Sequence, residues 1–244
     1  MADMGQGRRR SAVVFGARNL GRAVLELLVA EGWAATGVAR SEPTLDGVRA
    51  LGASALRGDV TDPLDVGRIL EEVAAQHGAV DLVVNAASAY GGDRSGPFGG
   101  GPIAEAGPGA FDAWAVAPAR SAFSFLSGSG RFLLAQGVPA TLVQVTGGSS
   151  RRAAPGRGLW AAGAFGVRAV TQAAALEMRE SGVHVALLIV DAGIRQLDAD
   201  AETAPPALAD PRRLAEAVLF LAEQGSRAAT HELQVTPLAE RWVP

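Results

Sequence analysis

The sequence predicts one doubly wound α/β domain, in which helices cover both faces of a parallel sheet of about seven strands. Short apolar runs with β propensity alternate along the chain with longer segments of helical periodicity, and this alternation is typical of parallel crossovers. The chain has 244 residues, 48% of them hydrophobic, which is enough for one substantial core. We expect residues 1–10 to form a flexible tail and residues 11–244 to form the domain.

The predicted elements set the position of the functional loops. We expect strands at residues 11–15, 34–39, 53–57, 80–85, 141–146, 184–190 and 232–236. We expect helices at residues 20–30, 62–76, 108–136, 159–181 and 211–224. Asp62 is a predicted N-cap with Pro63 at the first helical position. Ligands of such sheets bind beyond the carboxyl ends of the strands. The loops expected to matter are therefore 16–20, 86–107, 147–159 and 191–206.

Composition excludes several function classes. A formal net charge of -3 and a pI near 5.7 argue against nucleic acid as a partner. The chain has no cysteine, and its three histidines are scattered, so we expect no metal site. It has neither a long apolar run nor a signal peptide, so we expect a cytoplasmic protein without a membrane partner. All 22 basic residues are arginine, which excludes chemistry that needs a side-chain amine.

A glycine-bearing turn follows the first predicted strand. Residues 13–23 (VVFGARNLGRA) resemble the start of the short-chain dehydrogenase/reductase family, which has Thr-Gly-x-x-x-Gly-x-Gly there. Aligned without a gap, Phe15 and Asn19 take the places of the first two glycines and Gly21 that of the third. A one-residue gap would instead give the first place to Gly16. Asparagine tolerates left-handed backbone geometry, so Asn19 can serve in such a turn.

The resemblance extends over most of the chain and implies a Rossmann-like domain that binds a dinucleotide. Residues 58–61 (GDVT) resemble the family's adenine-contacting Asp-Val segment, and residues 85–88 (NAAS) resemble its Asn-Asn-Ala-Gly strand end. If a dinucleotide binds, the expected contacts are Gly16, Arg18, Gly21, Arg40, Asp59 and Asn85. Arg40 at the end of the second strand, with Arg18 in the glycine turn, favours NADP over NAD. The alternative is that the two arginines are ordinary surface residues.

The resemblance also implies a catalytic tetrad of asparagine, serine, tyrosine and lysine. The corresponding places in this sequence are Pro118, Gly147, Trp160 and Ala164. Neither an indole N–H nor a methyl group has an accessible acid–base equilibrium. The standard mechanism of carbonyl reduction is therefore not expected.

Four other residues are candidates for catalysis: Asp191, Tyr90, Ser149 and Arg151. Asp191 ends the sixth predicted strand, and near Arg151 or Arg195 its carboxylate would act as a general base. The alternative is that Asp191 caps a turn or pairs with an arginine to hold the loop. A lone tyrosine such as Tyr90 more often packs than catalyses.

Three functions remain open on this reasoning. The first is a repurposed biosynthetic enzyme that performs cyclisation, isomerisation or dehydration of a small apolar or aromatic substrate without hydride transfer. The second is an inactive subunit or ligand-binding partner of an active homologue. The third is an atypical NADPH-dependent oxidoreductase in which water or Tyr90 supplies the proton. The resemblance implies a homodimer or homotetramer, or a heteromer with an active relative, built on helices 108–136 and 159–181.

Overall fold

The computed structural model describes residues 8–88 and 96–241, and its centre is a seven-stranded parallel sheet. The strands are β1 Ser11–Phe15, β2 Ala34–Ala39, β3 Ser54–Arg57, β4 Leu82–Asn85, β5 Ala140–Gly147, β6 Val183–Val190 and β7 Glu232–Val235. Their order is β3-β2-β1-β4-β5-β6-β7. The predicted fold class is confirmed. Because the order reverses between β1 and β4, the ligand crevice of this fold lies at the carboxyl ends of those two strands.

Helices cover both faces of this sheet. They are α1 Asn19–Ala30, α2 Glu42–Ala50, α3 Pro63–His77, α4 Pro108–Phe111, α5 Ala117–Gln136, α6 Gly158–Met178 and α7 Pro211–Ala222. The predicted N-cap is confirmed, since the Asp62 carboxylate accepts a hydrogen bond of 2.9 Å from the Leu64 N–H. The predicted helix 108–136 is interrupted by a π turn at Asp112–Val116, and such turns are frequent near functional sites.

Two apolar layers bury the sheet and make its carboxyl edge a fixed platform. Leu25 of α1 and Leu188 of β6 belong to the layer on one face, while Ile69 of α3 and Phe125 of α5 belong to the other. All four side chains are at most 1% exposed. None of the described helices is long and apolar enough to span a membrane.

The arginines that precede β1 contact the domain. The Arg8 guanidinium donates to the Asp81 carboxylate, and Arg9 donates to the Trp33 carbonyl oxygen at 2.7 Å. The guanidinium carbon of Arg10 lies 4.1 Å from the centroid of the Trp33 ring. These three side chains are therefore anchored rather than freely solvated. Flexibility stays a prediction for residues 1–7 of the expected tail, which lie outside the described ranges.

Helix α6 carries a glycine where it contacts the turn that precedes α5. A Cβ atom built on Gly163 would lie 2.5 Å from the carbonyl oxygen of Trp114 and 3.0 Å from that of Ala115. No side chain fits at such a distance from backbone. The glycine therefore fixes how α6 sits against the turn that precedes α5.

The substitution Gly163→Ala should destabilise the protein by about 1–3 kcal/mol, because the added methyl group overpacks the contact between helices. The matched control is Gly67→Ala in α3, where a Cβ atom meets nothing within 4 Å. That change should stabilise by about 0.5–1 kcal/mol through the lower backbone entropy of alanine. Chemical denaturation of both variants measures the difference. Equal changes in the free energy of unfolding for the two variants would contradict the close contact of Gly163 with the Trp114 carbonyl group.

Candidate active site

The turn after β1 is pinned between two neighbouring strands. Gly16 has φ +85° and its N–H donates to the Val38 carbonyl oxygen of β2 at 3.0 Å. A Cβ atom on Gly16 would overlap the backbone at Ala87, and one on Gly21 would overlap the Gly16 carbonyl group. Phe15 is only 1% exposed and belongs to the core. Gly16 therefore takes the first glycine place, as in the gapped alignment, and Gly21 the third.

Asn19 joins this turn to the segment that follows β6. It has φ +35°, which is consistent with the expected tolerance of asparagine for left-handed geometry. Its side-chain N–H donates to the Arg195 carbonyl oxygen at 3.1 Å, and its side-chain oxygen accepts from the Leu197 N–H at 2.7 Å. The buried Arg195 guanidinium lies 3.2 Å from the Asp210 carboxylate. We call the two bonds of Asn19 the Asn19 clasp.

Two arginines expected at a dinucleotide are exposed beside the carboxyl end of β2. The Arg40 side chain is 77% exposed and its guanidinium lies 3.6 Å from the Asp59 carboxylate. Burial raises the pKa of Asp59, but hydrogen bonds from the Thr61 N–H and hydroxyl, together with Arg40, bring the pKa below its usual range. Arg18 is exposed on the turn itself. Both cations are accessible to an anionic ligand.

The Asn85 side chain is buried and forms its hydrogen bonds with other groups of the protein. It is 2% exposed, its side-chain N–H donates to the Gln144 side-chain oxygen at 3.0 Å, and its own oxygen accepts from the Ala87 N–H at 3.1 Å. The side chain thus joins β4 to β5 and shapes the turn against which Gly16 packs. Its influence on a bound cofactor would be through this turn.

Asp191 is held in a bidentate ion pair. Its two oxygens accept from the Arg152 guanidinium at 2.8 and 3.0 Å, and one also accepts from the Gln234 side chain at 3.1 Å. The residue is 7% exposed. The expectation that Arg151 or Arg195 lies beside the Asp191 carboxylate is therefore wrong, because Arg152 is the arginine that binds it. The bidentate pair fits the alternative left open by the sequence, in which Asp191 pairs with an arginine and holds the loop.

Three aromatic side chains form a cluster beside the end of β5. The ring centroid of Phe98 lies 5.0 Å from that of Trp114 and 5.5 Å from that of Trp160, and the centroids of the two indoles are 6.0 Å apart. The outer ring of Trp160 lies 4.0 Å from where a Cβ atom on Gly147 would be. We call these three side chains the aromatic cluster. It lies at the tyrosine and serine places implied by the resemblance.

The other tetrad places are buried. Pro118 lies at the start of α5, and Ala164 in α6 is 3% exposed. Within residues 8–88 and 96–241, no three or more His, Cys, Asp or Glu side chains are grouped so that they could hold a metal ion.

The remaining candidates are dispersed. Ser149 is half-buried in the short helical turn Gly148–Ser150, and Arg151 is exposed just after it. Arg151 contributes to the lowered pKa of Glu232, although hydrogen bonding from Arg168 is the larger cause. Tyr90 lies outside the described residues, and its role stays a prediction.

A protein-family model described as enoyl-(acyl carrier protein) reductase matches residues 15–235, which is most of the chain. The chain belongs to the short-chain dehydrogenase/reductase family. The resemblance deduced from the glycine turn is confirmed at this level.

A curated relative is the 3-oxoacyl-(acyl-carrier-protein) reductase FabG of Salmonella typhimurium. It is 42% identical over 78 residues, which are 30% of this chain and 32% of that protein. The chain thus spans about a third of the length of the curated relatives it matches.

Similar solved structures cover nearly the whole chain. A short-chain oxidoreductase of Pseudomonas aeruginosa PAO1 with an atypical catalytic center, solved with NADPH bound, has a TM-score of 0.77 at 24% identity and covers 96% of this chain and 98% of that one. A metagenomic short-chain oxidoreductase in complex with NADP has a TM-score of 0.73 at 22% identity and covers 95% and 98%. These likenesses show the fold.

The main functional expectation, an enzyme of acid–base chemistry without hydride transfer, is wrong. The family model and the curated relative are both reductases, and the similar structures are described as oxidoreductases. The geometry supplies the physical reason. Asp191, the base on which that expectation depended, is bound by Arg152, whereas the glycine turn keeps its tight backbone.

The substitution Asp191→Asn should cost about 1–3 kcal/mol of stability, because it weakens the two charged hydrogen bonds that Asp191 accepts from Arg152. The matched control is Asp198→Asn, whose side chain is 77% exposed and pairs with Arg22. That change should stay within about 0.5 kcal/mol. Urea unfolding of both variants gives the comparison. A neutral result for Asp191→Asn would contradict the structural role.

Proposed function

We propose that this protein is an NADPH-dependent oxidoreductase that reduces a carbonyl group without the family's tyrosine and lysine. The observation that carries the proposal is the tight glycine turn with two accessible arginines beside it. The similar structures named with NADP or NADPH support the choice of cofactor, and the one with an atypical catalytic center supports departure from the standard tetrad.

The residues present fit a dinucleotide. Gly16 and Gly21 allow the turn to pack closely against neighbouring backbone at the start of α1, where N–H groups favour phosphate. Arg18 and Arg40 are proposed to hold the 2′-phosphate, with Asp59 orienting the second of them. When bound, NADPH supplies a hydride to the carbonyl carbon, and the carbonyl oxygen takes a proton from another source.

The proton source is the unusual part of this proposal. The chain contains no lysine, and Trp160 and Gly147 are at the tyrosine and serine places. The indole cannot exchange a proton with a substrate near neutral pH. Water or Tyr90 is therefore proposed as the donor, while Ser149 and Arg151 are candidates to hold the oxygen.

Association of copies is proposed on the outer side of α5 and α6. Phe123 is 56% exposed on α5, and Phe165 and Leu176 are 44% and 67% exposed on α6. Large apolar side chains on neighbouring helices favour burial against a second subunit. Native mass spectrometry reports the subunit number and identity.

The substitution Arg40→Ala should weaken NADPH binding about tenfold or more, because a charged hydrogen bond to the 2′-phosphate is lost. NADH affinity should change less than about twofold, since NADH lacks that phosphate. Isothermal titration calorimetry measures both dissociation constants. The control is Arg213→Ala, an exposed arginine of α7 that pairs with Glu216. Wild-type protein that binds NADPH no better than NADH would contradict the assignment.

A further inference from the structure

The aromatic cluster presents an exposed ring beside the carboxyl end of β5. Phe98 is 51% exposed, although its ring contacts both indoles, and Trp114 behind it is 5% exposed. Trp160 brings the cluster to the end of β5, where the family's chemistry takes place. A large aromatic ring that stays exposed on a folded protein, next to other aromatic side chains, is typical of a binding surface.

A cation lies against this exposed ring. The guanidinium carbon of Arg157 is 5.4 Å from the Phe98 centroid, and the residue is exposed. No salt bridge joins Arg157 to a carboxylate of residues 8–88 and 96–241. Residues 146–158 contain three arginines and no acidic residue, and of these Arg152 is neutralised by Asp191. Arg151 lies close enough to Glu232 to lower the pKa of that carboxyl group, so Arg157 is the arginine of this segment without a carboxylate partner among the described residues.

The segments that carry Phe98 and Arg157 pack directly against each other. A Cβ atom on Gly99 would lie 3.1 Å from the Arg157 Cα atom, and one on Gly100 would lie 2.7 Å from a methyl carbon of Leu159. The turn that carries Phe98 thus packs directly on the start of α6. The backbone positions of Phe98 and Arg157 are therefore fixed relative to each other, while the exposed guanidinium can turn toward a ligand.

We propose that the aromatic cluster and Arg157 form a substrate subsite for an acidic aromatic compound, a planar apolar ring system that bears a carboxylate. The ring system packs against Phe98 and Trp160, and the carboxylate pairs with Arg157. The inference rests on the proposed function in one respect only: the bound compound is a substrate if it also carries the carbonyl group that is reduced. Binding of the ring and the acid is a property of this subsite alone.

Calorimetric titration with 2-naphthoate and with the neutral 2-naphthamide tests the subsite on the full chain, with and without NADPH. Wild-type protein should bind the acid at least about threefold more tightly than the amide, the range of a partly exposed ion pair. Arg157→Gln should abolish this preference, and Arg157→Lys should keep it, since the charge is retained. The preference should also shrink at high salt, because screening weakens an exposed pair.

The control is Arg227→Gln, an exposed arginine before β7 at the opposite edge of the sheet, which should leave the preference unchanged. Trp160→Phe should weaken both probes and keep their ratio, since the wall loses area but not charge. The proposal is overturned if neither probe binds, if the amide binds as tightly as the acid, or if Arg157→Gln keeps the preference. NADPH affinity measured on the same samples stays intact in each of those cases, which separates this failure from failure of the proposed function.

Discussion

The close backbone contact between the first turn and the end of β4 is the constraint on which the rest of the site depends. Gly16 fits against Ala87 only because it has no side chain, and its N–H bonds to β2 on the other side. The turn is thereby fixed at the point where the strand order reverses. From this fixed start, α1 begins, Arg18 faces outward, and Asn19 holds the segment after β6.

The charges at the carboxyl edge of the sheet fall into two groups. Arg152 is paired with Asp191, and Arg195 with Asp210, so both stabilise the loops that frame the cleft. Arg40 and Arg157 are exposed and are accessible to anionic ligands, although Arg40 also lies 3.6 Å from the Asp59 carboxylate. This division suits a protein that binds a phosphate at one end of a crevice and an acidic substrate at the other.

Much of the fold follows from the sequence, because buried parallel strands are continuous apolar runs that the core enforces. Helix α2 was not predicted, since only Leu45 and Val48 of its nine residues are buried and the apolar period is too short to recognise. The π turn at Asp112–Val116 also lacks a sequence signal, and its contact with Gly163 of α6 joins segments that are distant along the chain.

The site was less predictable because its contacts join distant segments. Arg151 and Arg152 are adjacent, and only the short turn at Gly148–Ser150 determines which of them reaches Asp191. Gln234 and Phe98 were not singled out, since each acts through a neighbour far along the chain. The residues at the tyrosine and lysine places implied by the resemblance suggested a loss of hydride chemistry, whereas the family match and the tight glycine turn favour an oxidoreductase.

The most direct test of the account is isotope transfer from NADPH carrying deuterium at both C4 positions of the nicotinamide. The protein would be incubated with this cofactor and a panel of aromatic aldehydes and ketones, with and without a carboxylate group, and the alcohols would be analysed by mass spectrometry. The account predicts one deuterium on the carbinol carbon and none when the protein is omitted. Binding of NADPH without label in any product would contradict it.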